Sequence, residues 1–255
     1  MRSLIFLLLF SSQAFGAFYI KNDGTGAPIE TYDRNVYLGP NLMPGVVLPY
    51  VNLDSAIMHD ADLKNSIITF DGNFIELHNS NFSNATVTIL PSEYIELYGS
   101  NFFNAEININ SNHLGLGDSN FQNTRGSLYS NDADLGYSNF SNSNVNIFMY
   151  GGDASFVNFS YSDLTGSVFD YTLLDGANFD NANLESVHFI NMESGYFQTT
   201  SLLNATYNDQ TIFPENFDPV AAGMIFVSEV PLPAGIYLFL SGLVGLGLMR
   251  SRRSK

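Results

Sequence analysis

Large apolar residues recur at every fifth position in one stretch of this 255-residue chain, and this period restricts the fold more than any other feature. Five residues turn an α-helix by about 500°, which would carry such residues around all of its sides. On a flat strand an odd period would alternate them between the two faces. The period therefore predicts short extended segments separated by corners, and four segments close a coil of about twenty residues. The large residues are Phe159, Leu164, Phe169, Leu174, Phe179, Leu184 and Phe189.

A second spacing, earlier in the chain, supports a coil of this length. Phenylalanines recur in Ser-Asn-Phe, Val-Asn-Phe and Ala-Asn-Phe triplets at intervals of 20, 19, 19, 19 and 20 residues. A repeat of this length is typical of solenoids, whose interior columns stack equivalent residues of successive coils. A run with the five-residue step, Met43, Leu48, Leu53, Met58, Leu63 and Ile68, begins the pattern. The predicted repeat core is Leu53, Leu63, Phe82, Phe102, Phe121, Phe140, Phe159, Leu164, Phe169, Leu174, Phe179, Leu184 and Phe189.

The individual quintets resemble the pentapeptide-repeat family, whose pattern is A-[DN]-[LF]-x-x. Ala61–Asn65, Ala177–Asn181 and Ala182–Ser186 follow that pattern. The resemblance implies an all-β fold, a right-handed quadrilateral parallel β-helix, over residues 41–209. About eight coils would give a rod about 40 Å long. Between the best repeats, runs such as 93–97 and 106–110 alternate in polarity, which predicts longer ordinary strands in the central coils.

The segments outside the repeat predict a precursor with removable ends. Residues 1–16 combine Arg2, an apolar run and small residues before Ala17, which indicates a secretory signal helix. Residues 17–40 are expected to form an N-terminal cap or arm, and residues 210–229 a C-terminal cap and linker. In residues 230–255, an uncharged stretch at 234–249 is long enough, at the short limit, for a transmembrane helix.

The C-terminal segment resembles the PEP-CTERM sorting signal in its VPLPA variant. The resemblance rests on Val230, Pro231, Leu232, Pro233 and Ala234 and on the terminal Arg250, Arg252 and Arg253. It implies transient processing by signal peptidase and by an exosortase-like enzyme, and a mature chain that ends near Pro233–Ala234. The implied location is an inner-membrane precursor that reaches the cell surface or extracellular matrix of a Gram-negative bacterium.

The charge of the chain restricts its partners. The chain has 9 Lys and Arg residues against 25 Asp and Glu residues, and loss of both ends leaves four basic residues and a formal charge of −21. Such a body repels nucleic-acid phosphates and other polyanions unless divalent cations bridge them. The absence of cysteine excludes disulfides, thiolate zinc sites and a cysteine nucleophile.

The sequence shows no catalytic constellation. Within the repeat only Lys64 and Arg125 are basic, and they are too far apart along the chain to act together. We therefore predict no catalytic, cofactor-binding or metal-binding residues. Calcium binding by aspartate pairs such as Asp60 and Asp62 is left open, because carboxylate oxygens are suitable ligands for this ion. The four histidines, which follow no ligand spacing along the chain, are His59, His78, His113 and His188.

These observations favour an exported, non-enzymatic structural or adhesive protein of the cell surface or the exopolysaccharide matrix. Its expected partners are polysaccharide or surface proteins, and not nucleic acid. The alternative is a carbohydrate-active β-helix enzyme that uses carboxylates for which the sequence gives no assignment. A third and disfavoured reading, drawn from cytoplasmic members of the family, is a DNA mimic that occupies gyrase, because a secretory signal would separate it from that target.

Overall fold

The computed structural model describes residues 17–31, 41–192 and 199–228, which form an all-β parallel solenoid of about nine turns. No helix lies within these ranges, and so none there could cross a membrane. The predicted signal helix 1–16 and transmembrane helix 234–249 lie outside the described residues. The strands are β1 (Phe18–Ile20), β2 (Gly26–Pro28), β3 (Glu30–Thr31), β4 (Val47–Asn52), β5 (Ala56–Ile57), β6 (Ile67–Asp71), β7 (Ile75–Glu76), β8 (Thr86–Glu96), β9 (Glu106–Gly115), β10 (Arg125–Asp134), β11 (Asn144–Met149), β12 (Gly152–Asp153), β13 (Val168–Asp170), β14 (Thr172–Leu173), β15 (His188–Ile190), β16 (Thr206–Tyr207) and β17 (Ile225–Phe226).

Strands of successive coils pair in parallel, and each residue pairs with the equivalent residue of the adjacent coil. Leu128 of β10 pairs with Ile109 of β9 on one side and with Ile147 of β11 on the other. The main path of the largest sheet runs β15-β13-β11-β10-β9-β8-β7-β5-β3. Residues one coil apart in sequence are therefore direct neighbours in space.

Tight corners occur where single residues adopt the left-handed conformation. Between 156 and 191 such a residue stands at every fifth position, which is the four-cornered coil that the five-residue period predicts. Asparagine, aspartate and glycine tolerate this conformation better than other residues do, and this explains many of the polar corner positions. The left-handed corner residues of this stretch are Phe156, Tyr161, Gly166, Tyr171, Gly176, Asn181, Ser186 and Asn191.

The central coils depart from the predicted quadrilateral. Each has only two left-handed corners, five residues apart, such as Gly99 with Asn104 and Asp118 with Asn123. The rest of the coil runs on as one long strand, as in β8, β9 and β10. Alternating apolar residues such as Ile107 and Ile109 continue the strand where a polar corner residue would have bent it. The prediction of longer ordinary strands in this region is confirmed.

The interior is filled by stacked columns of apolar side chains. Each of the thirteen residues predicted for the repeat core is at most 1% exposed. The phenylalanine column stacks nearly face to face, with ring centroids 4.7 Å apart for Phe102 and Phe121 and 4.3 Å apart for Phe121 and Phe140. The interplanar angles of these two pairs are only 4° and 7°.

In the first coil the predicted five-residue run is wrong at its first two positions, Met43 and Leu48. Leu42 is buried there, whereas Met43 is 40% exposed and Leu48 is only half-buried. The backbone explains the change, because Leu42 donates to the carbonyl of Phe18 and accepts from the amide of Ile20. This parallel bridge to Tyr19 turns Leu42 inward and the next residue outward.

Polar ladders run beside the phenylalanine column. The buried Ser100 amide donates to the Ser119 hydroxyl oxygen at 3.0 Å, and the Ser119 hydroxyl donates to the Leu97 carbonyl at 3.1 Å. Asn120 donates from its side-chain amide to the side-chain oxygen of Asn101 at 3.1 Å, and the ladder continues in other coils. Such bonds satisfy polar groups that burial would otherwise penalise.

Both ends of the stack are covered. The β1–β2 hairpin lies against the first coil, with Tyr19 and Ile29 buried. At the other end, β17 pairs in parallel with β16, and the ring of Phe213 stacks 5.9 Å from that of Phe189. Residues 210–228 thus cover the last phenylalanine of a second interior column.

Candidate functional site

One side of the solenoid carries two histidines, a tyrosine and a row of acidic residues, and we call it the leucine face. It is the outer surface over the buried column Met58, Leu77, Leu97, Leu116, Leu135 and Ala154. Side chains alternate along a strand, so the residues immediately before and after each column member point outward. The row before the column contains Glu76, Glu96, Gly115, Asp134 and Asp153, which pair in register. The row after it contains His59, His78, Tyr98, Gly117 and Gly136.

A shallow cavity of about 120 Å³ lies in the middle of this face. Tyr94, Tyr98 and His113 line it together with Asp132, Asp134 and backbone around Gly115. The Tyr98 ring lies so close over Gly115 that a Cβ there would be 2.4 Å from it, so glycine makes room for the ring. Burial raises the pKa of Tyr98, and the charge of Asp134 and a hydrogen bond to it raise that pKa further. The Tyr98 hydroxyl thus shares its proton with the Asp134 carboxylate.

Exposed aromatic residues occupy the corner that follows the leucine face. Tyr137 is 66% exposed and Phe156 50% exposed, and their rings stack with centroids 5.0 Å apart at an angle of 12°. Both residues have left-handed backbones, with φ of 60° and 58°, in a column where other coils use asparagine, aspartate or glycine. Bulky residues pay about 1–2 kcal/mol for that conformation. The same conformation holds Phe74, Tyr161 and Tyr171 exposed at other corners.

Two histidines and two glutamates gather at the N-terminal end of the leucine face. His59, Glu76 and His78 each offer one donor atom, and the three atoms lie within 4.8 Å of one another. The Nε2 atom of His78 lies 2.9 Å from Oε2 of Glu96. Burial lowers the pKa of His59, and the charge of His78 lowers it further. Burial raises the pKa of Glu76, and the adjacent Glu96 raises it further.

Sequence reasoning missed this cluster because it searched for ligand spacings along the chain. The informative signal was the coil length itself, since His59 and His78 are 19 residues apart and Glu76 and Glu96 are 20 apart. The other two histidines lie apart from it. His113 pairs with Asp132 at 3.3 Å, and His188 is half-buried in β15.

The two basic residues of the repeat form local ion pairs on the surface. Lys64 lies 2.8 Å from Asp62, and Arg125 lies 3.0 Å from Glu106. The structure therefore does not bring Lys64 and Arg125 together in a basic site. The predicted sorting residues Val230, Pro231, Leu232, Pro233, Ala234, Arg250, Arg252 and Arg253 lie outside the described residues.

Comparison with known proteins identifies the repeat in one segment. Residues 155–191 match the family model for pentapeptide repeats, with eight copies, and this is the stretch with a left-handed corner at every fifth residue. The chain is thus a parallel β-solenoid that contains a run of pentapeptide repeats. No curated protein matches the chain.

Several solved structures are similar to parts of it. The pentapeptide repeat protein alr5209 from Nostoc PCC 7120 is 26% identical, covers 42% of this chain and 84% of its own, and has a TM-score of 0.23. QnrB1, a plasmid-mediated fluoroquinolone resistance protein, is 10% identical over 77% of this chain and 96% of its own, with a TM-score of 0.34. Rfr23, a pentapeptide repeat protein from Cyanothece 51142, is 17% identical over 67% of this chain and 89% of its own, with a TM-score of 0.21.

Proposed function

We propose that this chain is an exported, non-enzymatic structural and adhesive rod, sorted to the cell surface or exopolysaccharide matrix, that binds polysaccharide along its leucine face. Support for export comes from the composition of residues 1–16, and support for exosortase-type sorting from residues 230–255. The right-handed winding that the family resemblance implies is part of the same proposal.

The observation that carries the binding role is the stacked pair Tyr137 and Phe156. These rings are exposed at backbone positions that disfavour them, so the fold bears a cost for presenting them to solvent. Strain of this kind concentrates at ligand-binding and other functional sites. Aromatic rings give the C–H faces of a sugar a flat apolar surface, while neighbouring carboxylates accept hydrogen bonds from its hydroxyls.

The surroundings of the pair favour a neutral polysaccharide over an anionic one. Asp132, Asp134 and Asp153 lie on the same face, and the charge of the exported body is strongly negative. The carboxylates of Asp132 and Asp134 at the cavity supply acceptors suited to the hydroxyl groups of a sugar. An anionic polymer would need bridging divalent cations to approach this surface.

The experiment compares polysaccharide binding by corner variants of the full chain in detergent. Replacing Tyr137 and Phe156 together by asparagine restores the residue type of other corners, so we expect stability to hold or to rise by about 1 kcal/mol. Binding to the host's neutral exopolysaccharide should weaken about tenfold, because roughly 1.4 kcal/mol of aromatic contact is lost. Tyr129→Asn, an exposed tyrosine within β10, serves as the matched control and should bind like the wild type.

Two outcomes would decide against the proposal. Equal binding by the wild type and the double variant would show that these rings do not contact polysaccharide. New reducing ends or unsaturated sugars after incubation would establish the carbohydrate-active enzyme instead.

A further inference from the structure

We propose that His59, Glu76, His78 and Glu96 form a binding site for a zinc-type divalent transition-metal ion that ties three successive coils together. The inference is independent of polysaccharide binding and of the route of export. It assigns a ligand to a cluster for which sequence reasoning predicted no metal.

The solenoid itself builds the arrangement of donors. His59 and His78 occupy equivalent positions in successive coils, and their ring centroids are 4.8 Å apart. Glu76 and Glu96 pair directly in register on parallel strands, two positions before the histidine row. The Nε2 atom of His59 lies 3.8 Å from Oε2 of Glu76, and the Nε2 atom of His78 lies 2.9 Å from Oε2 of Glu96. The donor atoms of His59, Glu76 and His78 lie within 4.8 Å of one another, and Glu96 contacts His78 as the fourth donor.

The donor types indicate which metal would bind. Two imidazole nitrogens and two carboxylate oxygens suit the four-coordinate geometry of Zn²⁺, whose bonds to such ligands are about 2.0–2.2 Å long. Calcium takes six to eight oxygen ligands, so the two histidines argue against it here. Two carboxylates also balance the charge of a divalent ion.

One feature of the cluster is costly without a cation. Glu76 and Glu96 place like charges directly opposite each other on adjacent parallel strands. A bound cation removes this repulsion. The Nδ1 atom of His59 is buried and has no hydrogen-bond partner in the part of the chain that the structure describes, so a cation reaches this imidazole through Nε2, the atom nearest Glu76.

Residues around the cluster hold the donors in place. The Tyr94 hydroxyl donates to Oε1 of Glu96 at 2.6 Å, which leaves Oε2 directed at His78. The Tyr19 hydroxyl donates to the backbone carbonyl of His59 at 3.0 Å and links the N-terminal hairpin to the same coil. The bond from Tyr94 is of the kind that orients a metal ligand and tunes its affinity.

The test is a metal titration of the untagged full chain in detergent after treatment with a chelator. We expect one Zn²⁺ to bind per chain, Co²⁺ to give the visible absorption of a four-coordinate site, and Zn²⁺ to raise the unfolding temperature. His78→Gln and Glu76→Gln should each weaken Zn²⁺ binding by at least about tenfold. His113→Gln is the matched control, since His113 also pairs with an acid on this face but has no second histidine beside it. It should bind as the wild type does.

The proposal fails if the wild type takes up no Zn²⁺, or if His78→Gln and Glu76→Gln bind it as tightly as the wild type. It also fails if His113→Gln weakens binding as much as they do. Circular dichroism of each variant establishes that the solenoid is folded, and the two substitutions lie on the outer surface, away from the buried columns.

Discussion

Phe121→Ala should lower the free energy of unfolding by about 4 kcal/mol, because it opens a cavity in the middle of the stacked phenylalanine column. The Phe121 ring is fully buried and lies against Phe102 on one side and Phe140 on the other. The surrounding coils are fixed by backbone pairing to both neighbours, so they cannot collapse into the space. Urea unfolding followed by circular dichroism measures the change.

The matched control for this prediction is Phe103→Ala, which removes the same type of side chain from the outer surface of the solenoid, next to the buried column. Phe103 is 38% exposed and follows the buried Phe102 directly. Its loss should change the free energy of unfolding by no more than about 0.5 kcal/mol. Similar effects of the two substitutions would mean that the stacked column does not dominate the stability of the rod.

Gly126→Ala should destabilise the solenoid by at least about 3 kcal/mol, although it adds a single methyl group. Gly126 has φ of 130°, and a Cβ there would lie 1.9 Å from the backbone carbonyl oxygen of Ile107 in the next strand. No side-chain rotation relieves a clash with backbone, so the pairing of β10 with β9 would have to break. Thermal unfolding of the variant measures the loss.

The control variant Gly166→Ala distinguishes the cost of the steric clash at Gly126 from the cost of a left-handed backbone at a residue other than glycine. Gly166 also has a positive φ, of 74°, but a Cβ there would meet nothing within 4 Å. We expect it to cost only about 1 kcal/mol, from the left-handed conformation alone. Equal losses for the two alanine variants would contradict the close approach of β9 and β10 at Gly126.

The interior of this fold was predictable because the coil length and the apolar period agree. Spacing alone predicts the interior column that contains Phe82, Phe102 and Phe121, and all three side chains are buried. The four-cornered coil was predictable only where quintets are intact. In the central coils Ile107 and Ile109 continue the strand, so a corner that the family pattern implies does not form.

The surface was harder to predict, because its functional groups are assembled across coils. His59 and His78 look scattered in sequence and become neighbours only when the 19-residue coil is applied to them. The five-residue period places Phe156 at a corner, but its left-handed backbone contradicts the local preference of a bulky residue. Gly126 could not have been predicted either, since Ile107 and Val145 fill the equivalent positions of the adjacent coils.

Export and sorting can be tested by measuring the intact mass of the protein from its host. The protein would be recovered from membrane, culture supernatant and matrix fractions of its host, and each species weighed. We predict a species outside the cell that begins near Ala17 and lacks the residues after about Pro233. A species that retains Arg250 to Lys255 and stays with the inner membrane would contradict sorting, and would make this chain a membrane-tethered rod.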